Sequence, residues 1–494
     1  MIMDREDPSS AGARLLRLAD RLTNRTVAFA FFFTVTVAAL PMGGNREWVW
    51  APLAMAVGGL SVAVAILPGF RSGFSVRPPE RRPLVAVTAC FLVLVAFGFL
   101  QMSPFAPASG SAWYYETAAR LLGAAHAPVP ALAIDAARST LIKIVTCGAV
   151  FALARAICRD VTQARLLLMM IVLSAMLAVV YGIIMQAAAN SCYLGSYLKK
   201  VGDYRPGDSC VMSGPFVNSN SFGCYCGMGI VAALALALAD RRREGGKAYG
   251  YGAYDEEGLL ASLTALRLAL MAACLFLMGG LLWSASRAAF AATGAGIAGV
   301  FVLLLRQRPG LRSDVARWGV GAAVVVAAAV MLIAGGRLLT KASGGADGEG
   351  RGAIWAASLE AISASPWFGW GLGGFPDIYA VMQPSSLPIP NDLAHSTPLQ
   401  MMVEVGVPMA LVAFAIVLIP WGMSLQGAFR RRSGRRYLPV AAFAVAAVPI
   451  LHSMIDFSLQ MPAIGFVVSA VLGMGWAQSF DRRERQRTAF TRGQ

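Results

Sequence analysis

LLLMMIVLSAMLAVVYGIIMQAA, residues 166–188, holds no charged side chain and is bounded by Arg165 on one side. Roughly 20 apolar residues in a helix cross the hydrocarbon of a bilayer. The same reading extends outward to runs at 25–42, 48–68, 84–102, 139–157, 218–239, 263–283, 287–305, 316–335, 400–423, 437–454 and 461–478. These runs predict an all-α polytopic integral membrane protein with about 12 transmembrane helices. Composition agrees. Hydrophobic residues make up 57% of the 494 and charged residues 14%, against about 25% charged in ordinary globular chains. A chain this apolar cannot cover itself with polar surface, so lipid must cover part of it.

The net charge is +16. In a soluble protein that excess would suggest nucleic acid, but no motif of that kind is present. Most of the 42 Lys and Arg residues fall on alternate inter-span segments, the pattern that marks cytoplasmic loops. Both termini are therefore expected in the cytoplasm. The first run follows a charged, amphipathic lead and has no small-residue cleavage site after it, so it is expected to remain as the first span. The resulting division is a cytoplasmic segment 1–24, spans and short loops over 25–335, a large external loop 336–400, spans over 401–478, and a cytoplasmic tail 479–494. The stretch 241–260 is charged and rich in Gly and Tyr, and reads as a linker. A loop of over 60 residues is usually functional or disordered. Trp355, Trp367, Phe368, Trp370 and Phe375 argue for order here, with the loop folded over the mouth of the bundle.

Of eight cysteines, Cys192 and Cys210 alone fall in an external loop, where an oxidising exterior lets them pair. The others read as small apolar core residues. Cys224 and Cys226, two apart on one helix, face away from each other and are not expected to bind metal.

No phosphate loop, HExxH, EF-hand pattern or DxD-type carboxylate cluster occurs. That argues against ATP-driven or metal-dependent chemistry and for no cofactor. What remains is a set of polar groups at the external boundary. Arg351 opens a helix expected over 351–364 and stopped by Pro366. Gly369, Gly371, Gly373 and Gly374 follow and permit a turn with exposed N–H groups suited to an anion. His395 precedes a span and Glu404 lies inside it; a buried carboxylate in a span usually has a partner. The plain alternative puts Arg351 at a lipid headgroup, His395 at a helix cap and Glu404 in a structural pair. Arg287, in the short hairpin Ser284–Arg287, reads either as an interfacial anchor or as a fixed cation for phosphate. Asn218 and Asn220 at a span start either cap the helix or bind sugar hydroxyls. His452 and Asp456 are four apart and on a helix share one face, either as a satisfied polar pair or as a carboxylate fixing an imidazole tautomer. His126 reads as a surface residue.

In this order, the elements resemble the O-antigen ligase and polysaccharide polymerase superfamily of bacterial envelopes. The resemblance covers about Ser213 to Pro462 and is most specific from Arg351 to Gly406. It rests on the asparagines at 218 and 220, Ser286–Arg287, Arg351 with Trp355, and Pro366 with its glycines. It rests further on His395 with Leu399, Gln400, Glu404 and Gly406, and on His452 to Asp456. Where members often carry asparagine after the loop histidine, this chain has Ser396.

The resemblance implies a GT-C-like fold and glycosyl transfer on the periplasmic side of the bacterial inner membrane. The implied donor is a glycan on undecaprenyl pyrophosphate. The acceptor is lipid A–core for ligation, or another lipid-linked glycan for polymerisation of capsule, exopolysaccharide or O-antigen. Arg287 and Arg351 would stabilise the departing pyrophosphate, and His395 would receive the acceptor proton. Asn218, Asn220, Glu404, Gly371 and Gly373 would line the substrate. A single displacement with inversion follows, since no carboxylate pair suggests a covalent intermediate. The competing class is a lipid-linked glycan flippase. It would share the spans but would not need an ordered loop carrying Arg, His and glycines, and it would more often show broken helices at mid-membrane.

Overall fold

A computed structural model describes residues 11–67, 74–76, 78–105, 116–117, 119–121, 123, 131, 133–189, 211–239, 256–305, 346–383, 390–431 and 434–480. Its helices are α1 (Ala11–Val37), α2 (Glu47–Ile66), α3 (Pro78–Gln101), α4 (Ile134–Ile157), α5 (Val161–Ala189), α6 (Ser219–Ala237), α7 (Glu256–Trp283), α8 (Arg287–Leu305), α9 (Ala346–Ala364), α10 (Phe375–Met382), α11 (Thr397–Arg430), α12 (Tyr437–His452) and α13 (Pro462–Ser479). No strand occurs among the described residues. Nine of these helices are long and apolar enough to cross a membrane, and Asn24–Val37 and Tyr437–His452 are shorter apolar helices. Each run read from the sequence falls on a helix, except 316–335, which lies outside the described residues; α1, α7 and α11 extend well beyond their runs. The chain is an all-α, multi-pass membrane protein.

Burial sorts the helices into layers. The apolar windows of α6 and α13 are 94% and 89% buried, whereas those of α2 and α3 are 22% and 17% buried. The centre therefore consists of α6, α12 and α13, with α4, α5, α7, α8 and α11 packed around them. Small residues permit the closest approaches. A Cβ on Gly473 of α13 would lie 2.4 Å from the Phe151 carbonyl of α4, and one on Gly227 of α6 would lie 2.0 Å from Thr293 Oγ1 of α8.

The two ends of the bundle differ in chemistry. At one end, Arg155 Nη2 lies 2.5 Å from the buried Glu80 carboxylate, and Arg159 lies 3.6 Å from it. There too Arg165 reaches Tyr437, Arg267 donates to Ala239 O, and Arg436 donates to Ala428 O. This is the arginine-rich end. At the opposite end lie the C-termini of α3, α7 and α12 and the N-termini of α6, α8, α11 and α13. Contacts of Met212 N–H with Trp283 O and of Thr397 N–H with Ser453 O tie these termini together. α9 and α10 sit at this second end and form a cap whose core includes Ile354, Trp370, Phe375 and Tyr379.

Candidate active site

Each element that meets at the capped end has a local reason to stop there. Asn218 is extended (φ −123°, ψ 131°) and its side chain accepts the Asn220 N–H at 2.6 Å, so it caps α6. Ser286 accepts the Ala289 N–H at 3.2 Å and caps α8. Ser396 is the N-cap residue of α11, with Pro398 in the first turn, and makes no side-chain cap bond. His395, just before it, has a left-handed backbone (φ 51°). α12 stops at His452, and a turn carries the chain to α13 at Pro462.

That turn carries the centre of the site. The Asp456 side chain is 1% exposed. Its Oδ2 accepts from Asn220 Nδ2 at 2.7 Å and lies 3.9 Å from Arg351 Nη2. Its Oδ1 accepts from the Phe457 N–H at 2.8 Å and lies 3.7 Å from His395 Nδ1. Arg351 comes from α9 of the cap, Asn220 from α6, and His395 from the segment leading into α11. Three elements far apart in sequence thus converge on one buried carboxylate. Burial pushes the Asp456 carboxyl up, but the facing His395, the nearby His452 and the Phe457 N–H outweigh it and hold its pKa below the ordinary carboxylate value. The Arg351 and His395 side chains are 33% and 24% exposed. They can therefore meet a ligand while anchored from behind, and the His395 and Phe457 rings meet edge to face with centroids 5.0 Å apart.

Beneath this centre, α11 is broken at Gly406 (φ 74°, ψ 165°). The break frees backbone groups that pair with the loop after α9. Trp370 N–H donates to Val403 O and Gly371 N–H to Glu404 O, both at 2.9 Å, and Val407 N–H donates to Pro366 O at 2.8 Å. Glu404 Oε2 accepts from Gly373 N–H at 2.9 Å and its Oε1 accepts from Gln400 Nε2 at 2.8 Å. A Cβ on Gly371 would lie 2.4 Å from Ala131 Cα, and one on Gly406 would lie 2.5 Å from Trp367 O. The expectation of exposed N–H groups in the glycine stretch is therefore corrected. The N–H groups of residues 369–374 all donate within the protein, because the glycines bring two backbones together and leave no open turn.

Other residues singled out from the sequence are placed as follows. Arg287 is the first residue of α8, exposed, with no ion pair or side-chain hydrogen bond among the described residues. α8 runs alongside α6 with their N-termini at the same end: a Cβ on Gly223 would lie 2.5 Å from Ser284 Oγ. Arg287 thus shares its end with Asp456. His452 and Asp456 do not share a helical face, because α12 ends at His452; the His452 Nδ1 instead meets Ser458 Oγ at 2.8 Å. Cys224 and Cys226 are buried within α6. Cys192, Cys210, His126, and most of 241–260 lie outside the described residues. Gln101 and Ser458 had no signal in the sequence; each is an ordinary polar residue whose side-chain partners lie in other elements. Among the described residues no cluster of three or more His, Cys, Asp or Glu side chains could hold a metal ion.

Residues 272–414 match a family model described as O-antigen ligase. The matched segment contains Arg287, Arg351, His395 and Glu404, and ends before His452 and Asp456. A search of curated proteins returned no match.

Proposed function

We propose, from the premise that residues 272–414 carry an O-antigen ligase domain, that this membrane protein transfers a glycan from a polyprenyl pyrophosphate to an acceptor. The reaction runs at the capped end, facing the periplasm, with both termini and the arginine-rich end in the cytoplasm. The observation that carries this reading is the convergence of Arg351 and His395 on the buried Asp456.

The chemistry follows from the groups present. Cleavage of the sugar C1–O bond leaves charge on the pyrophosphate. Arg351, held by Asp456, and Arg287, without an ion pair among the described residues, stabilise that charge, and preorganised cations do so without reorganising during the reaction. The His395 Nδ1 faces Asp456, so Nε2 is the nitrogen left for the incoming hydroxyl. The carboxylate fixes the tautomer, so that Nε2 takes the proton as the hydroxyl attacks. The acceptor oxygen attacks C1 from the face opposite the pyrophosphate, which gives inversion. Asn218 and Asn220 border the sugar, while Glu404, Gly371 and Gly373 shape the floor of the site.

The reading is tested by reconstituting the purified protein in vesicles with an undecaprenyl-pyrophosphate glycan and either lipid A–core or a second lipid-linked glycan. Product on lipid A–core identifies a ligase, and a lengthened lipid-linked chain identifies a polymerase. Movement of the donor across the bilayer with neither product would instead fit a flippase and overturn the proposal.

A further inference from the structure

Gln101 is the last residue of α3, is 1% exposed, and makes no hydrogen bond to Arg287, Arg351 or His395 among the described residues. Its side-chain amide nevertheless makes three hydrogen bonds across the floor of the site. Nε2 donates to Phe368 O at 2.7 Å and to Glu404 O at 2.9 Å, and Oε1 accepts from the Leu372 N–H at 3.2 Å. Phe368 and Leu372 belong to the loop that follows α9, and Glu404 to the broken turn of α11. One side chain thus binds the cap loop and the bundle together, from a third element.

The loop is in turn fixed to α9. Trp370 Nε1 donates to Ala361 O at 2.8 Å and Ser365 Oγ donates to Gly369 O at 2.9 Å. α9 carries Arg351, while Asp456 and Asn220 belong to the bundle. The height of Arg351 over Asp456 therefore depends on the loop-to-bundle junction that Gln101 bridges. Phe97 of α3, stacked on Phe368 at 6.0 Å, and Leu372, seated against Gly98 and Leu141, dock the loop on the same helix end.

We infer that Gln101 is a positioning residue for glycan transfer, acting through the 368–373 loop to set Arg351 against the Asp456–His395 pair. This rests on the transferase reading above. An apolar side chain of similar length removes all three bonds and leaves the Leu372 N–H and Phe368 O buried without that partner. The junction then loosens, and Arg351 loses its register with the departing pyrophosphate.

The test uses the full-length protein in vesicles, with Gln101→Met, Gln101→Leu and Gln101→Glu. Gln101→Glu keeps an acceptor for Leu372 N–H and loses both donors. Transfer is measured per folded molecule, together with amide hydrogen exchange across 366–374. The expected result for Gln101→Met and Gln101→Leu is faster exchange in that segment and a kcat lower by about 10²-fold, the scale of a 1 Å misplacement. Donor KM moves by less than about 3-fold and the pH profile keeps its shape, because His395 and Asp456 lie outside the junction. Gln101→Glu falls between these variants and the parent. Faster exchange with unchanged kcat per folded molecule would overturn the inference and leave the transferase reading standing. An inactive parent protein would instead overturn the transferase reading.

Discussion

Asn220 and Asp456, 236 residues apart in sequence, are joined by a 2.7 Å hydrogen bond from the amide of α6 to the carboxylate after α12. The bond occupies the oxygen that also faces Arg351, so the carboxylate cannot turn away from the cap. Asp456→Asn preserves shape but removes the charge that holds Arg351 and His395. Transfer should fall by about 10²-fold or more, the scale of positioned acid–base catalysis, with little change in expressed protein. Asn220→Ala removes one restraint on the carboxylate and should cost about 10-fold, one hydrogen bond's worth. Initial rates in vesicles check both, and an Asp456→Asn protein of full activity would remove Asp456 from the site.

Arg287 and Arg351 differ in what holds them. Arg351 has a carboxylate behind it and Arg287 has no partner among the described residues. Alanine at either should lower transfer by about 10² to 10³-fold, and Arg287→Ala should leave the melting temperature unchanged. Arg287→Lys should stay impaired, because an ammonium cannot grip phosphate through two parallel N–H groups. Normal turnover of the lysine variant would assign Arg287 to membrane anchoring.

The depressed pKa of Asp456 makes a signed prediction. A carboxyl held below its unfolded value stabilises the fold above that value, about 3.9, and the contribution disappears as pH falls through the folded pKa. Thermal unfolding of the detergent-solubilised protein should show parent and Asp456→Asn diverging at neutral pH and converging in acid below about pH 3.9. A constant gap down to the most acidic point would contradict the Asp456 ion-pair geometry.

Gly371 (φ 99°) and Gly406 (φ 74°) face backbone at 2.4 and 2.5 Å from an added Cβ. Alanine at either should cost at least ~2 kcal/mol through strain and displaced chain. Gly58 of α2 meets nothing within 4 Å, so Gly58→Ala should be neutral or stabilise by up to ~1 kcal/mol. Melting of the three variants separates a clasp built on glycine from a merely mobile loop.

The spans were legible in the sequence because lipid demands long uncharged runs, and such runs need no knowledge of their neighbours. Arg351 and His395 stood out as candidates for a related reason: the less basic set of inter-span segments holds few charged groups. The partner of His395 did not. A spacing of four suggested Asp456 for His452, yet α12 ends at His452 and the turn swings Asp456 toward the cap. The glycine stretch misled in the same way. Its residues allow an open anion nest or a close backbone junction equally well, and only the break at Gly406 selects the second. Gln101 was invisible because its partners at Phe368 and Glu404 lie 267 and 303 residues away.

Only 17% of the apolar window of α3 is buried, which leaves most of the helix for lipid to cover, yet its final residue is bonded to the cap. Hydrocarbon thickness tilts such a helix, and tilt displaces its tip. On the transferase reading, the acyl-chain length of the surrounding membrane is therefore expected to act on glycan assembly as a mechanical input, with no ligand involved.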